Sequence, residues 1–111
     1  MIDWDRVAEL RDEIGAEDFD EIVEAFLAEV EGTLDLLPSV SGSPPDIESN
    51  LHFLKGSALN LGFAALSTLC QTWESAAKHG RIDDIDLPEV RRMYDASRDE
   101  FLRELPRRYA A

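Results

Sequence analysis

The sequence predicts an all-α protein, an antiparallel up-and-down four-helix bundle with a short N-terminal lid helix. Three observations predict this fold. Apolar residues recur at three- and four-residue steps, no segment alternates convincingly as a strand does, and the breaks fall at glycine, proline and short polar runs. At 111 residues the chain suits a single domain, residues 1–111, built around one hydrophobic core.

The first two helices are predicted on either side of Gly15. A short amphipathic stretch reaches Ile14, and Asp3 is placed to cap its start. The second helix is longer, and Pro38 is expected to stop it. Its apolar residues recur at helical spacing nearly without a break: Phe19, Ile22, Val23, Phe26, Leu27, Val30, Leu34 and Leu37.

Three further helices complete the predicted bundle. The third begins at residues 43–46, Ser-Pro-Pro-Asp, which offer an N-cap, first-turn prolines and an acid, and it ends at Gly62. The fourth runs to Gly80, and the very short link before it makes these two helices antiparallel neighbours. The fifth starts with a capping box at residues 86–89 and ends at Pro106. Its apolar positions are Val90, Met93, Tyr94, Phe101, Leu102 and Leu105.

The composition restricts the partners and the compartment. The chain has 24 acidic and 11 basic residues, a formal net charge of −13, so it should repel phosphate backbones and anionic lipid headgroups. We therefore expect a protein partner rather than nucleic acid or membrane, although acidity is also a common route to solubility. No signal-peptide pattern and no membrane-spanning apolar run is present, which predicts a cytoplasmic protein. The lone Cys70 lies on an apolar stripe and is expected to be buried.

The third predicted helix has two faces. Its core stripe comprises Ile47, Leu51, Leu54, Ala58 and Leu61. On a wheel of about 100° per residue, a second group points roughly 120° to 180° away from that stripe: His52, Gly56, Leu59 and Phe63. Apolar surface beside a reactive imidazole predicts a docking site for another protein.

Gly56 and Lys55 single out the surroundings of His52. A glycine inside a helix costs about 1 kcal/mol relative to alanine, so Gly56, one turn after His52, requires a reason. It leaves space beside the imidazole, and Lys55 at i+3 can reach that space with its ammonium group. Each residue alone is typical of an ordinary helix surface. Together they predict a site for a tetrahedral oxyanion.

The string HFLKGSALNLGF at residues 52–63 resembles the signature of histidine-containing phosphotransfer (HPt) domains. That signature is His-x-x-Lys-Gly followed by small residues and a Leu-Gly turn. In the next helix, Cys70, Trp73 and Glu74 resemble the family's small or cysteine position and its hydrophobic-Glu pair. The likeness spans nearly the whole chain, from the lid helix to the last helix.

The resemblance implies a phosphorelay intermediate of two-component signal transduction. His52 would accept a phosphoryl group from a receiver-domain aspartate and pass it to another receiver. Lys55 would stabilise the phosphoryl group, and Gly56 would give steric clearance. The implied partners are response-regulator receiver domains, such as those of hybrid histidine kinases. The residues expected to contact the partner are Leu59, Phe63, Glu48 and Ser49.

The chain is expected to rely on its partner for most of the catalytic apparatus. It has no Gly-rich phosphate loop and no ATP-binding motif, so we expect a phosphotransfer protein without autokinase activity. No intrinsic cofactor or metal is expected. The divalent metal would belong to the receiver domain. The chain is expected to be a monomer.

Two other interpretations of the sequence remain open. A non-catalytic adaptor bundle could bind a protein through the same face, and it predicts that His52→Gln keeps function. A carboxylate-type metal bundle needs inward Glu-x-x-His pairs, but Ser49 occupies the i−3 position of His52 and no acid stands three residues before His79. His79 is interpreted as complementing a helix dipole, and Glu74 as pairing with Lys78 at i+4.

Overall fold

The computed structural model describes residues 1–109 and contains five α-helices and two 3₁₀ turns, with no strand among those residues. The helices are α1 (Trp4–Ile14), α2 (Ala16–Leu36), α3 (Pro44–Leu61), α4 (Ala64–Lys78) and α5 (Leu87–Arg108). The 3₁₀ turns span Leu37–Val40 and Ile82–Asp84. The predicted all-α bundle is confirmed. Residues 110 and 111 of the predicted single domain lie outside the described part of the chain.

One continuous core joins the helices. The predicted core stripe of α3 is confirmed, because each of its members is at most 1% exposed: Ile47, Leu51, Leu54, Ala58 and Leu61. From α5, the side chains of Val90, Tyr94 and Phe101 are also fully buried. Full burial of an apolar side chain contributes about 1.5 to 3 kcal/mol, so this core fixes how α3 is rotated.

A tight turn at Gly62 places α4 beside α3. Gly62 has φ of 88°, and the amides of Gly62 and Phe63 donate to the carbonyls of Leu59 (3.3 Å) and Ala58 (2.7 Å). This hydrogen-bond pattern is a Schellman motif. A Cβ at Gly62 would lie 2.8 Å from the carbonyl oxygen of Asp3, so the site accepts only glycine without a shift. The predicted end of α3 at Gly62 is confirmed.

The predicted exposed position of Phe63 is wrong. Its side chain is 1% exposed, and its ring centroid lies 5.3 Å from that of Phe101 and 6.3 Å from that of Tyr94. The helical wheel fails here because Gly62 ends α3 one residue earlier. In a Schellman motif the residue after the glycine commonly packs back against the helix. Phe63 therefore belongs to the core and not to a partner-binding face.

The first helix, α1, covers the end of the bundle where α3 turns into α4. The amide of Asp3 donates to the carbonyl of Gly62 at 2.7 Å, and the Asp3 carboxylate caps α1 by accepting from the amide of Arg6 at 3.2 Å. At 1.5 Å per residue, His52 lies about 15 Å away along α3. The lid therefore leaves the histidine uncovered.

Three details of the helices differ from the prediction. Pro38 follows a helix that ends at Leu36 and takes an early position in the 3₁₀ turn, where proline needs no amide partner. Pro106 was expected to end α5, but the helix continues to Arg108. Proline is tolerated there because it removes a hydrogen bond only in the last turns of the helix. Leu102, predicted on the apolar side, is 47% exposed. Among residues 1–109, no helix is both long and apolar enough to cross a membrane.

Candidate functional site

His52 lies on α3 with its ring in contact with α4. Its side chain is 68% exposed, and Nδ1 lies 2.8 Å from Oε2 of Glu74. A carboxylate can only accept, so this hydrogen bond requires the proton on Nδ1 and leaves the lone pair of the neutral ring on Nε2. The contact thus presents Nε2 as the nucleophilic nitrogen.

Lys55 reaches the same carboxylate from the next turn of α3. Its Nζ forms an ion pair with Oε1 of Glu74 at 2.7 Å. It also donates a hydrogen bond to Oε1 of Gln71 at 2.9 Å. Glu74 therefore bridges an imidazole and an ammonium group, with one oxygen for each. This bridge holds the cation beside the histidine.

The Glu74 carboxylate is mostly buried, with 14% of its side chain exposed. Burial alone would raise its pKa, but the contacts from Lys55 and His52 outweigh burial and hold the pKa below its ordinary value of 4.5. The group is therefore ionised at neutral pH. Its negative charge is available to stabilise positive charge on the ring of His52.

The placement of α4 beside α3 brings these groups together. The hydroxyl of Ser67 donates to the carbonyl of Lys55 at 3.3 Å, which ties the two helices along the groove. Gln71 and Glu74 then share one face of α4 because they are three residues apart. The predicted pairing of Glu74 with Lys78 is wrong, since Glu74 contacts α3 instead.

Sequence reasoning did not place Gln71 or Glu74 in the site. One signal was available for Glu74, which is the single acidic residue of α4 and matches the hydrophobic-Glu pair of the HPt signature. An isolated carboxylate opposite a histidine face is a candidate for orienting that histidine. For Gln71 the sequence offers no comparable signal.

Gly56 is open on its outer side. A Cβ built at this position would meet no atom within 4 Å among the described residues. Packing within the chain therefore does not require glycine here, unlike at Gly62. The free volume lies one turn beyond His52, where an approaching group would pass.

Exposed apolar side chains flank the histidine. Leu59 is 62% exposed on the predicted face, and Phe53, which the wheel did not single out, is 44% exposed next to His52. Of the other two residues predicted to contact a partner, Ser49 is exposed and Glu48 is half-buried. The surface around His52 is thus accessible and partly apolar, as a protein-docking face requires.

Cys70 lies beneath this site and is fully buried, as expected. Burial, together with the nearby charge of Glu74 and against the opposing charge of Lys55, raises the pKa of its thiol to about 12. The thiol is therefore protonated at neutral pH and is a poor nucleophile. It packs the floor of the α3–α4 groove.

A cavity of the bundle lies away from the histidine face. A cavity of about 520 Å³ opens between the end of α2 and the start of α5, and its walls include Leu37, Leu87 and Arg91. No wall residue comes from α3 or α4.

The second histidine, His79, lies at the end of α4 with Nδ1 2.8 Å from the carbonyl oxygen of Ser75. Among residues 1–109, no three His, Cys, Asp or Glu side chains are grouped for a metal ion.

A comparison with protein families defines the class. The model of the Hpt domain matches residues 21–100, and the chain belongs to that family. Its role is therefore phosphotransfer in two-component signalling. The family implies interaction with receiver domains.

A solved structure shares the whole fold. The chain is similar to the crystal structure of histidine-containing phosphotransfer protein B (HptB) from Pseudomonas aeruginosa PAO1, with a TM-score of 0.82. The match covers 97% of this chain and 96% of that chain at 23% sequence identity. At this identity the likeness shows a common bundle. No curated protein matches the sequence significantly.

Proposed function

We propose that His52 accepts a phosphoryl group from the aspartyl phosphate of one receiver domain and passes it to an aspartate of another. One observation carries this proposal. The side chain of His52 is 68% exposed, while its Nδ1 is bound at 2.8 Å by a carboxylate that is ionised at neutral pH. A surface histidine fixed in this way offers Nε2 to an incoming partner.

The forward transfer needs no proton to move. The lone pair of Nε2 attacks phosphorus in line, the Nε2–P bond forms, and the P–O bond to the receiver aspartate breaks. The aspartate leaves as a carboxylate. Nδ1 keeps its proton, so the phosphorylated ring is a cation, and Glu74 stabilises it at 2.8 Å. Attack by a second aspartate on the same phosphorus reverses these steps.

Lys55 and Gly56 assist the phosphoryl group during its transfer. The ammonium of Lys55 offsets the negative charge of the phosphoryl oxygens, and Gln71 and Glu74 hold it at 2.9 Å and 2.7 Å. The open volume at Gly56 lets the phosphoryl group and the receiver loop approach. Leu59, Glu48 and Ser49 would contact the receiver around the histidine. Once docked, their surface excludes water from a hydrolytically labile phosphohistidine.

The receiver would supply what this chain does not. We propose that the divalent metal and the acidic pocket belong to the receiver, and that the chain needs no cofactor and does not phosphorylate itself from ATP. The sequence supports this because it holds no Gly-rich phosphate loop and no ATP-binding motif. We further propose that residues 1–111 act as one monomeric, cytoplasmic domain.

Transfer from a labelled receiver tests the proposal. Wild type, His52→Gln and the control His79→Gln would each be incubated with a ³²P-phosphorylated receiver. His79 is the only other histidine, so the two variants are matched. We expect an acid-labile label on wild type and on His79→Gln, none on His52→Gln, and loss of the label when a second receiver is added.

Two results would contradict it. A persistent label on His52→Gln would show that another residue accepts the phosphoryl group. Tight binding of receivers without transfer, unaffected by His52→Gln, would favour the adaptor interpretation instead.

A further inference from the structure

The charge of the chain is concentrated in one continuous stretch. Residues 12–54 contain twelve acidic residues and no lysine or arginine, so they hold almost the whole net charge of −13. This stretch includes all of α2 and the first half of α3. Residues 78–108, which include α5, balance eight acidic residues with eight basic ones. The net negative charge of the chain therefore lies mainly on α2 and the first half of α3.

Ion pairs leave most of this charge uncompensated. Three of the twelve acids pair with arginines outside the stretch: Glu13, Glu31 and Asp35. Within the described part of the chain, the other nine have no ion-pair partner: Asp12, Glu17, Asp18, Asp20, Glu21, Glu24, Glu29, Asp46 and Glu48. Uncompensated charges of one sign produce a potential that extends into solvent over a Debye length.

The histidine face lies at the edge of this negative field. Glu48 stands one turn before His52 on the same side of α3. The only cation of α3, Lys55, is already paired with Glu74 at 2.7 Å. An approaching protein therefore meets the exposed apolar side chains of Phe53 and Leu59 together with a net negative surface.

We propose that the surface formed by Phe53, His52 and Leu59 docks receiver domains whose docking face carries lysine or arginine around an apolar patch. This rests on the proposed function and specifies its partner. Complementary charge steers the encounter and fixes orientation, whereas an acidic receiver face is repelled. A second copy of this chain is repelled for the same reason.

Ionic strength and charge reversal test the proposal. The second-order rate constant of transfer would be measured with a receiver that exchanges phosphoryl groups with the chain, at concentrations far below saturation. We expect it to fall about tenfold as NaCl rises from about 50 to about 500 mM, because screening removes the steering. The double variant Asp46→Lys, Glu48→Lys, which reverses two uncompensated acids on the helix of His52, should lower the rate constant at low salt by about tenfold and weaken its salt dependence.

A matched variant separates local steering from overall charge. Asp83→Lys, Asp84→Lys changes the net charge equally, but both residues lie in the exposed 3₁₀ turn between α4 and α5. We expect its rate constant to stay within about twofold of wild type. Equal effects of the two double variants, or a rate constant that does not fall with salt, would overturn the proposal.

A small phosphodonor distinguishes this failure from failure of the proposed function. Phosphoramidate needs no docking face, so wild type and the variant Asp83→Lys, Asp84→Lys should be phosphorylated on His52 at equal rates. If His52 is labelled and receiver transfer is insensitive to salt, the basic docking face alone is wrong. If neither phosphoramidate nor any receiver labels His52, both proposals are wrong.

Discussion

Glu74 on α4 binds Nδ1 of His52 on α3 at 2.8 Å, and its second oxygen lies 2.7 Å from Nζ of Lys55. One mostly buried carboxylate thus fixes the orientation of the imidazole and the position of the cation. Because the two contacts use different oxygens, they are made at the same time. The three residues form a unit that spans two helices, and each should affect transfer in a different way.

Glu74→Gln should slow phosphoryl transfer with little effect on receiver binding. The amide can still accept from Nδ1, but it no longer offers a negative charge to the cationic ring. Replacing a charge-assisted hydrogen bond by a neutral one costs about 1 to 1.5 kcal/mol, so we expect transfer to slow by about tenfold. Single-turnover transfer rates and the receiver Kd would be measured separately. Glu100→Gln on α5 is the control and should transfer at the wild-type rate. If Glu74→Gln also transferred at the wild-type rate, Glu74 would have no part in the mechanism.

The lowered pKa of Glu74 predicts how its contribution to stability depends on pH. A carboxyl group whose folded-state pKa lies below its ordinary value of 4.5 stabilises the fold at pH values above 4.5. That contribution is lost as the pH falls through the lowered folded-state pKa. The difference in the free energy of unfolding between wild type and Glu74→Gln should therefore narrow from pH 7 to about pH 3. Urea denaturation at both pH values measures it, and a difference that widens in acid would contradict the assignment.

Gly56→Ala and Gly62→Ala should have opposite effects on stability. A Cβ at Gly56 meets open space, so alanine there should stabilise α3 by about 0.5 to 1 kcal/mol while it slows transfer by narrowing the approach to His52. At Gly62 the φ of 88° and the carbonyl of Asp3 oppose a Cβ, so alanine should destabilise the fold by about 1 to 3 kcal/mol. Thermal or urea unfolding checks both. If Gly56→Ala transferred at the wild-type rate, steric clearance would not be the reason for glycine at this position.

Lys55→Ala should slow transfer more than it weakens docking. The ammonium group acts on the phosphoryl oxygens, and 25% of its side chain is exposed, so little docking surface is lost. We expect transfer to slow by about tenfold and the receiver Kd to change by less than about threefold. Lys78→Ala, an exposed lysine on α4, is the matched control. A variant that binds the receiver much more weakly but transfers at the wild-type rate at saturation would show that Lys55 is a docking residue.

The sequence was sufficient for those parts of the site that lie within one helix. His52, Lys55 and Gly56 follow from the period of α3, because the buried stripe from Ile47 to Leu61 fixes the direction of every other residue. The same period failed at Phe63, since Gly62 turns the chain by a left-handed conformation. A helical wheel contains no information beyond the last helical residue.

The contribution of α4 could not be derived from the pattern alone. Whether Glu74 meets His52 depends on how far α4 slides along α3, and the turn at Gly62 and the Ser67–Lys55 hydrogen bond set that register. Within α4 itself, Glu74 and Lys78 are ideally spaced for an ion pair, so local geometry favoured the wrong partner. Contacts between helices override such local pairs when they bury the carboxylate.

The site of phosphorylation on the ring tests the role of Glu74 and His52 most directly. Long-range ¹H–¹⁵N NMR spectra of the phosphorylated protein distinguish the two ring nitrogens of each histidine. With Nδ1 bound to Glu74, we expect the phosphoryl group on Nε2 of His52 and a proton retained on Nδ1. Phosphorylation of Nδ1 of His52, or of His79 instead, would contradict the geometry from which the function is inferred.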